Sequence, residues 1–422
     1  MTCSSLSRSG ITDGSGVLVT VSHRVRAALA GGAVCALLAS CSAGTANVGA
    51  GNANAGSGSG SGSGSGAPGL TVLTQDASSG DIFLAAQSPG ATGPEIVSTS
   101  GKVIWFHPLP PGSDATDFRA QTYLGKPVLT WFQMVNGVGE GVIDNDRYQQ
   151  IATVKPANGY AADFHEFLIT PWNTALILAD TPGTANLTSL GLSAHQQVND
   201  GVVQEIDIKT GKLLFQWDSA DHVPYSDSHA PMGQPGQPWD WFHINAVHLD
   251  TDGNLLISSR FTWTIYKVNI RTGAVMWELG GKQSSFTLRA APGLVLDKAG
   301  EIFAFQHDPE ALGGGEYSVF DDESDGPTTP LAHSRAVIMR LDLATCTATL
   351  IWSANQPEGL VADATGSAQP LRNGDMFVSW GGLGYMSEFS RTGKLLFNAE
   401  LRGGGATYRA YLLPWPPAAA TP

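Results

Sequence analysis

Three short segments concentrate the residue types able to do polar chemistry. They are Asp163-Phe164-His165-Glu166-Phe167, then Trp239-Asp240-Trp241-Phe242-His243-Ile244-Asn245 continuing to Ser258-Ser259-Arg260, and Phe305-Gln306-His307-Asp308. Each histidine stands beside an aromatic or amide residue, close to an apolar run of strand character. Brought together, the segments supply three imidazoles, an amide and a guanidinium. Imidazoles act as nucleophiles and as proton carriers, and an arginine offers a planar fork to the oxygens of an anion. A lone histidine is usually a structural hydrogen-bonder. Three in equivalent settings, with Asn245 and Arg260, suit transfer of an anionic group better than they suit packing.

Convergence requires a fold that returns to one axis. A degenerate unit recurs along the chain: a polar-led strand, a tight Thr-Gly or Ser-Gly turn, and a strand ending near Trp or Phe. Glu205–Trp217 and Lys267–Trp277 are clear copies, and Arg340–Trp352 repeats the pattern with the glycine lost. Glu388–Phe397, Ser100–Trp105 and, weakly, Ile143–Val154 bring the number to six. Further strands are expected at Lys126–Trp131, Thr174–Leu178, Gly253–Ser258, Glu301–Phe305 and Asp375–Trp380, from alternating apolar residues bounded by turn formers. No long stretch has helical periodicity. Repeats of this length with about four short strands each predict an all-β, six-bladed β-propeller. Asp81–Ala85 and Thr407–Leu412 are the candidates for closing the ring. The three histidine segments then fall in three blades, each beside a strand that can line the central channel.

The N-terminal part of the chain does not belong to that fold. Arg24 and Arg26 precede the apolar stretch Ala27–Ala39, which ends in Leu38-Ala39-Ser40-Cys41, the pattern of an export signal with a lipobox. Residues 1–41 are therefore expected to be a signal segment whose Cys41 is lipidated. Residues 42–69, nearly all Gly, Ser, Ala and Asn, form a flexible tether, and residues 70–422 form the propeller. The expected location is the outer face of a membrane, reached through the N-terminal lipid alone. With Cys41 acylated, Cys346 is the one other cysteine of the mature chain, and no intramolecular disulfide is expected.

Charge and spacing narrow the chemistry. A net charge of −14 opposes nucleic acid or an anionic membrane surface as a partner, so an anionic substrate needs local cations such as Arg260. No HxH pair or carboxylate cluster of ligand spacing appears, and an arginine in the same pocket opposes a cation; no metal and no cofactor are expected. Asp250-Thr251-Asp252-Gly253-Asn254 lacks the distal glutamate of a calcium loop and is expected to be a turn. His195, His222, His229 and His248 are expected on the surface or in loops, and the acidic run 321–325 in a solvated loop. Trp241, Phe242, Phe164 and Phe305 are candidate walls for an aromatic substrate, and equally candidates for blade core.

The histidine blocks resemble the signature segments of the bacterial arylsulfotransferase family, in its shorter exported branch. Trp277–Lys282, Phe377–Gly381 and Tyr408–Tyr411 match that branch too, and the likeness covers roughly residues 80 to 415. It implies a six-bladed propeller that moves a sulfuryl group from a phenolic sulfate ester to a phenol without a nucleotide sulfate donor. It also implies that His307 is the nucleophile, that His243, Asn245 and Arg260 hold the sulfuryl oxygens, and that His165 completes the site. A protonated His243 or His165 would assist the departing phenolate, giving ping-pong transfer through a sulfohistidine. The chain departs from the pattern at Pro309-Glu310, where many relatives carry a small residue and an arginine. The competing expectation is a non-catalytic envelope propeller that binds a ligand or protein partner.

Overall fold

Each of the six recurring units closes the outer hairpin of one antiparallel sheet. The computed structural model describes residues 66–88, 91–232 and 237–415; the signal segment, Cys41 and most of the tether lie outside them. Six sheets of four or five strands make a six-bladed β-propeller. From the inner to the outer strand, blade one is Ala406–Leu413, Asp81–Ser88, Ala91–Ser98 and Val103–Phe106. Blade two is Asp114–Tyr123, Lys126–Val135, Val138–Asn145 and Gln150–Val154. Blade three is Ala161–Ile169, Thr174–Ala185, Gln196–Asp207 and Leu213–Asp218. Blade four is Ile244–Leu249, Leu255–Ser259, Thr264–Val268 and Val275–Leu279. Blade five starts at His307–Gly313 and passes through Glu316–Asp321 and Arg335–Asp342 to Thr347–Asn355, with Thr287–Ala290 added in parallel outside. Blade six runs Ser367–Pro370, Met376–Ser379, Tyr385–Phe389 and Leu395–Leu401, and gains Leu70–Gln75 at its outer edge.

The ring closes where the sequence suggested. The C-terminal strand is the inner strand of blade one, with Asp81 opposite Leu413 and Phe83 opposite Tyr411. Apolar side chains alternate to both faces of each sheet, so the core is a set of layers between neighbouring blades. Leu176, Val203 and Trp217 of blade three meet Val247, Ile257 and Tyr266 of blade four. Equivalent clusters fill the other junctions.

Five of the six inner strands carry a bulge, and each bulge contains at least one polar residue. Asp117-Phe118 stand opposite Trp131, Asp163–Glu166 opposite Leu178, and Asn245 has no partner between Ile244 and Ala246. Asp308-Pro309 and Tyr408-Arg409 are the bulges of blades five and one. A bulge re-aims a side chain that regular alternation would send into a blade face. Asp117, His243 and Asp308 accordingly adopt positive φ (53°, 50° and 54°) without being glycine, a conformation that clusters at functional sites.

Two expectations fail here. Glu301–Phe305 is not a strand, because its backbone is held by side chains: Asp321 accepts from Ala304 N at 2.9 Å, and Arg335 donates to Ile302 O at 2.8 Å. Cys346 is disulfide-bonded, where a lone thiol was expected; Cys3, Cys35 and Cys41 lie outside the described residues.

Candidate active site

The three histidines meet at the channel. His165 lies on the inner strand of blade three, His243 directly precedes that of blade four, and His307 opens that of blade five. Ring centroids are 5.0 Å apart for His165 and His243 and 6.4 Å for His165 and His307.

Each imidazole rests on its own aspartate through Nδ1. The distances are 2.6 Å from His165 to Asp163, 2.5 Å from His243 to Asp240, and 2.7 Å from His307 to Asp322. A carboxylate at Nδ1 fixes the ring and turns Nε2 inward. Their charge states differ. Burial pushes His307 well below the usual histidine range, helped by Arg260, His165 and Arg409. Burial also pushes His165 down, aided by His243 and Arg409. Burial works against the charge on His243 as well, but Asp240 outweighs it and raises this histidine. Of the three close imidazoles, His243 is thus the one whose surroundings favour the charged form.

Asp322 belongs to the acidic run expected in solvent. Asp321, Asp322 and Glu323 are instead wholly buried. Asp321 and Glu323 pair with Arg335 at 2.7 and 3.1 Å, while Asp322 turns to His307. Burial pushes the Asp322 carboxyl well above its ordinary value. A proton bridges Nδ1 and Oδ2: with Asp322 ionised it sits on Nδ1 and Nε2 keeps its lone pair, whereas with Asp322 protonated it sits on Oδ2 and Nε2 carries the ring hydrogen. Among the described residues His307 Nε2 has no hydrogen-bond partner.

Arg260 is 5% exposed and donates through Nη2 to Ser324 O at 3.1 Å and to Asp363 O. Its guanidinium lies over Phe305 at 5.1 Å and Phe261 at 5.4 Å. Asn245 is fully buried, and its Nδ2 donates to Gln306 O at 2.7 Å. That bond ties the inner strand of blade four to the residue before His307. Asn245 O accepts from Tyr408 and Arg409 at 3.2 and 2.9 Å.

The four candidate aromatic walls divide. Phe164 is half-buried, stacked 4.0 Å from His165, and stays at the site. Trp241 and Phe242 are fully buried in the layer between blades three and four and present no face to a ligand. Phe305, 1% exposed, supports Arg260 from behind. Two aromatics without an assigned role take part: Phe261 lies 5.1 Å from His243, and Tyr408 stands edge-on to His165 and His307 at 5.6 and 6.3 Å.

Beneath the histidines lies a buried ionic network. Glu166 contacts Arg119 and lies 2.8 Å from Arg409. His248, expected at the surface, is 8% exposed and lies 3.2 Å from both Glu166 and Asp308. Burial opposes its charge, yet the two carboxylates raise it to about 10. Glu166, His248 and Asp308 have the spacing of metal ligands. Arg409 Nη1, 2.8 Å from Glu166 and 3.3 Å from Asp308, already supplies their positive charge. Glu310, at the Pro309-Glu310 departure, is raised to about 7 by burial and then by Asp308. Arg409 therefore adds positive potential near His307 from another blade.

Fold and site together define a propeller with a histidine- and arginine-lined polar centre on its axis. The chain belongs to the arylsulfotransferase (ASST) family, whose model matches residues 119–402, and this membership supports aryl sulfotransferase activity in general. No curated protein matches the chain. Solved structures are similar at a distance. A Bacteroides caccae protein of unknown function has 13% identity and a TM-score of 0.47, covering 79% of this chain and 98% of that one. A streptogramin B lyase has 10% identity over 79% of this chain and 88% of its own, with a TM-score of 0.40. A putative 6-phosphogluconolactonase from Bacteroides fragilis NCTC 9343 has 9% identity over 82% and 98%, also at 0.40.

Proposed function

We propose that this chain transfers a sulfuryl group from a phenolic sulfate ester to a phenol through a sulfohistidine at His307. The observation that carries the reading is the meeting of three imidazoles on the axis, each anchored through Nδ1 by its own aspartate, where burial lowers His307 and Asp240 raises His243. His307 Nε2 attacks sulfur, the bond from sulfur to the aryl oxygen breaks, and His243 gives its proton to the departing phenolate. In the second half the acceptor phenol oxygen attacks sulfur, the sulfur–nitrogen bond breaks, and neutral His243 takes the phenol proton. Charge spreads over the sulfuryl oxygens in each step, so fixed donors contribute most of the rate. Arg260 is the permanent one, and the second N–H of Asn245 adds a neutral donor. Phe164 and Tyr408 bound the space for the aryl ring.

The test is direct. The soluble domain is mixed with a nitrophenyl sulfate, quenched, and its peptides mapped by mass. Sulfated His307 in the wild type and its loss in His307→Ala support the reading. Absence of both adduct and nitrophenol release with any phenolic acceptor rejects it, leaving the ligand-binding alternative. We also propose that Cys41 carries a lipid holding the domain at the outer face of a membrane, a role open to it only when it is not the disulfide partner of Cys346. Membrane fractionation that is unchanged in Cys41→Ala would rule this out.

A further inference from the structure

One carboxylate breaks the pattern of the repeat. In blades one, three, four and six the outer strand bulges just after the turn, and the third-strand residue paired beside that bulge is Val97, Ile206, Val268 or Phe389. Leu341 precedes the corresponding turn of blade five. All five are buried and join the apolar layers between blades. In blade two the residue paired beside the same bulge is Asp144. The usual turn-capping role is not what holds it there. Asn145 takes that role, its Oδ1 accepting from Arg147 N at 2.9 Å and Gln149 N at 3.1 Å.

Asp144 is 4% exposed, and its Oδ1 is enclosed without a partner. Neither oxygen makes a hydrogen bond or ion pair among the described residues. A buried, unpaired polar group calls for a partner. The carboxylate lines a cavity of about 290 Å³ between blades one and two, together with Trp131, Tyr148, His107, Gln133 and Gln150. Tyr148 is stacked on Trp105 at 4.9 Å and held by Trp415 Nε1 at 3.1 Å, which fixes its ring at the rim. His107 lies 5.8 Å from Trp131, and burial pushes it down, so it is neutral. Gln133 is already engaged with Trp131 and Glu140, each at 3.2 Å. Among the described residues no lysine or arginine pairs with Asp144, and burial alone raises its carboxyl, to about 6.

We propose that this cleft, separate from the histidine site, binds an organic ammonium group, with Asp144 as its counter-ion and the half-exposed Tyr148 as its aromatic face. Aromatic faces attract a desolvated cation through their quadrupoles, and a carboxylate at the base sets both its sign and its depth. The apolar residues of the other blades show what the position would hold if packing alone decided it.

Choline and its uncharged isostere 3,3-dimethylbutan-1-ol, with 2-phenylethylamine as a primary-amine probe, test this by calorimetric titration into the full chain. Saturable binding of an ammonium probe is expected, weaker by about tenfold or more in Asp144→Asn, with the isostere weaker than choline by a similar factor. Nitrophenyl sulfate turnover should not change in that variant. Asp144→Val, which restores the repeat, should raise the melting temperature and abolish the shift induced by choline. Equal binding of choline and its isostere, equal binding by wild type and Asp144→Asn, or no binding of either ammonium probe overturns the proposal.

Discussion

His307 Nδ1 lies 2.7 Å from Oδ2 of Asp322, a fully buried residue fifteen positions downstream at the end of the next strand. The contact decides which nitrogen can react. Only an ionised Asp322 accepts from Nδ1–H and leaves the lone pair on Nε2; because burial raises its carboxyl, that state is lost as pH falls. Asp322→Asn presents an amide N–H to Nδ1 instead, so the hydrogen moves to Nε2 and blocks attack. The expected loss of sulfuryl transfer is about 10³- to 10⁴-fold, as for other wrong-tautomer substitutions. Quench-flow measurement of sulfated His307 checks it; an adduct forming at the wild-type rate would remove Asp322 from this role.

Asp240 sets the proton on His243, and pH reports it. Burial lowers His243, but the 2.5 Å contact with Asp240 overrides this and its pKa rises. His307 stays neutral down to low pH. The first half-reaction, which consumes the His243 proton, should therefore fall on the alkaline side, and it should fall on the acid side as Asp322 takes up a proton. Asp240→Asn removes the raising charge, so that alkaline limb should move to lower pH. Pre-steady-state release of nitrophenol across pH gives both profiles, and an unmoved limb would assign the proton donor elsewhere.

The blade count was legible because the outer hairpins are local: a turn, its capping Asp, Asn or Ser, and two alternating strands lie within about a dozen residues. His165, His243, His307, Asn245 and Arg260 were legible as residue types on separate repeats, and the ring brings them together. The inner strands were harder to read. Their bulges suspend the alternation that tells core from channel, so His248 and Arg409 carry no sequence signal of their position. Asp322 looked solvent-exposed because four acidic residues, Asp321, Asp322, Glu323 and Asp325, crowd a stretch of five. Pairing with Arg335 and His307 reverses that expectation. One signal was present in the sequence: Asp144 stands where the other hairpins carry an apolar residue.

Arg260 has its orientation fixed by two carbonyls and two aromatic rings. Nη2 donates to Ser324 O and Asp363 O, and the plane lies over Phe261 and Phe305. Lysine keeps the charge but has neither the plane nor the fork. Arg260→Lys should reduce kcat by about 10²- to 10³-fold, the usual loss for a fixed transition-state donor, with a smaller change in KM. Steady-state kinetics with a nitrophenyl sulfate separate the two, and an unaltered kcat would exclude Arg260 from contact with the sulfuryl oxygens.

His248 couples the network under the site to folding. Its pKa is raised to about 10 in the folded chain against about 6.5 for an unfolded histidine. A raised pKa means that the stabilisation is fully present below about pH 6.5 and is lost as pH rises through about 10. His248→Gln removes one partner of Glu166 and Asp308 and leaves those carboxylates to Arg409 and Arg119. The cost near neutral pH should be about 3 kcal/mol, at the lower end for breaking a buried pair, because the arginines remain. The gap between wild type and variant should be widest near pH 6 and shrink steadily toward pH 10. Every other titrating group is common to the two proteins, so the narrowing isolates His248. Urea unfolding across that range measures it; a gap that stays constant with pH would mean that His248 is neutral and bound only by packing.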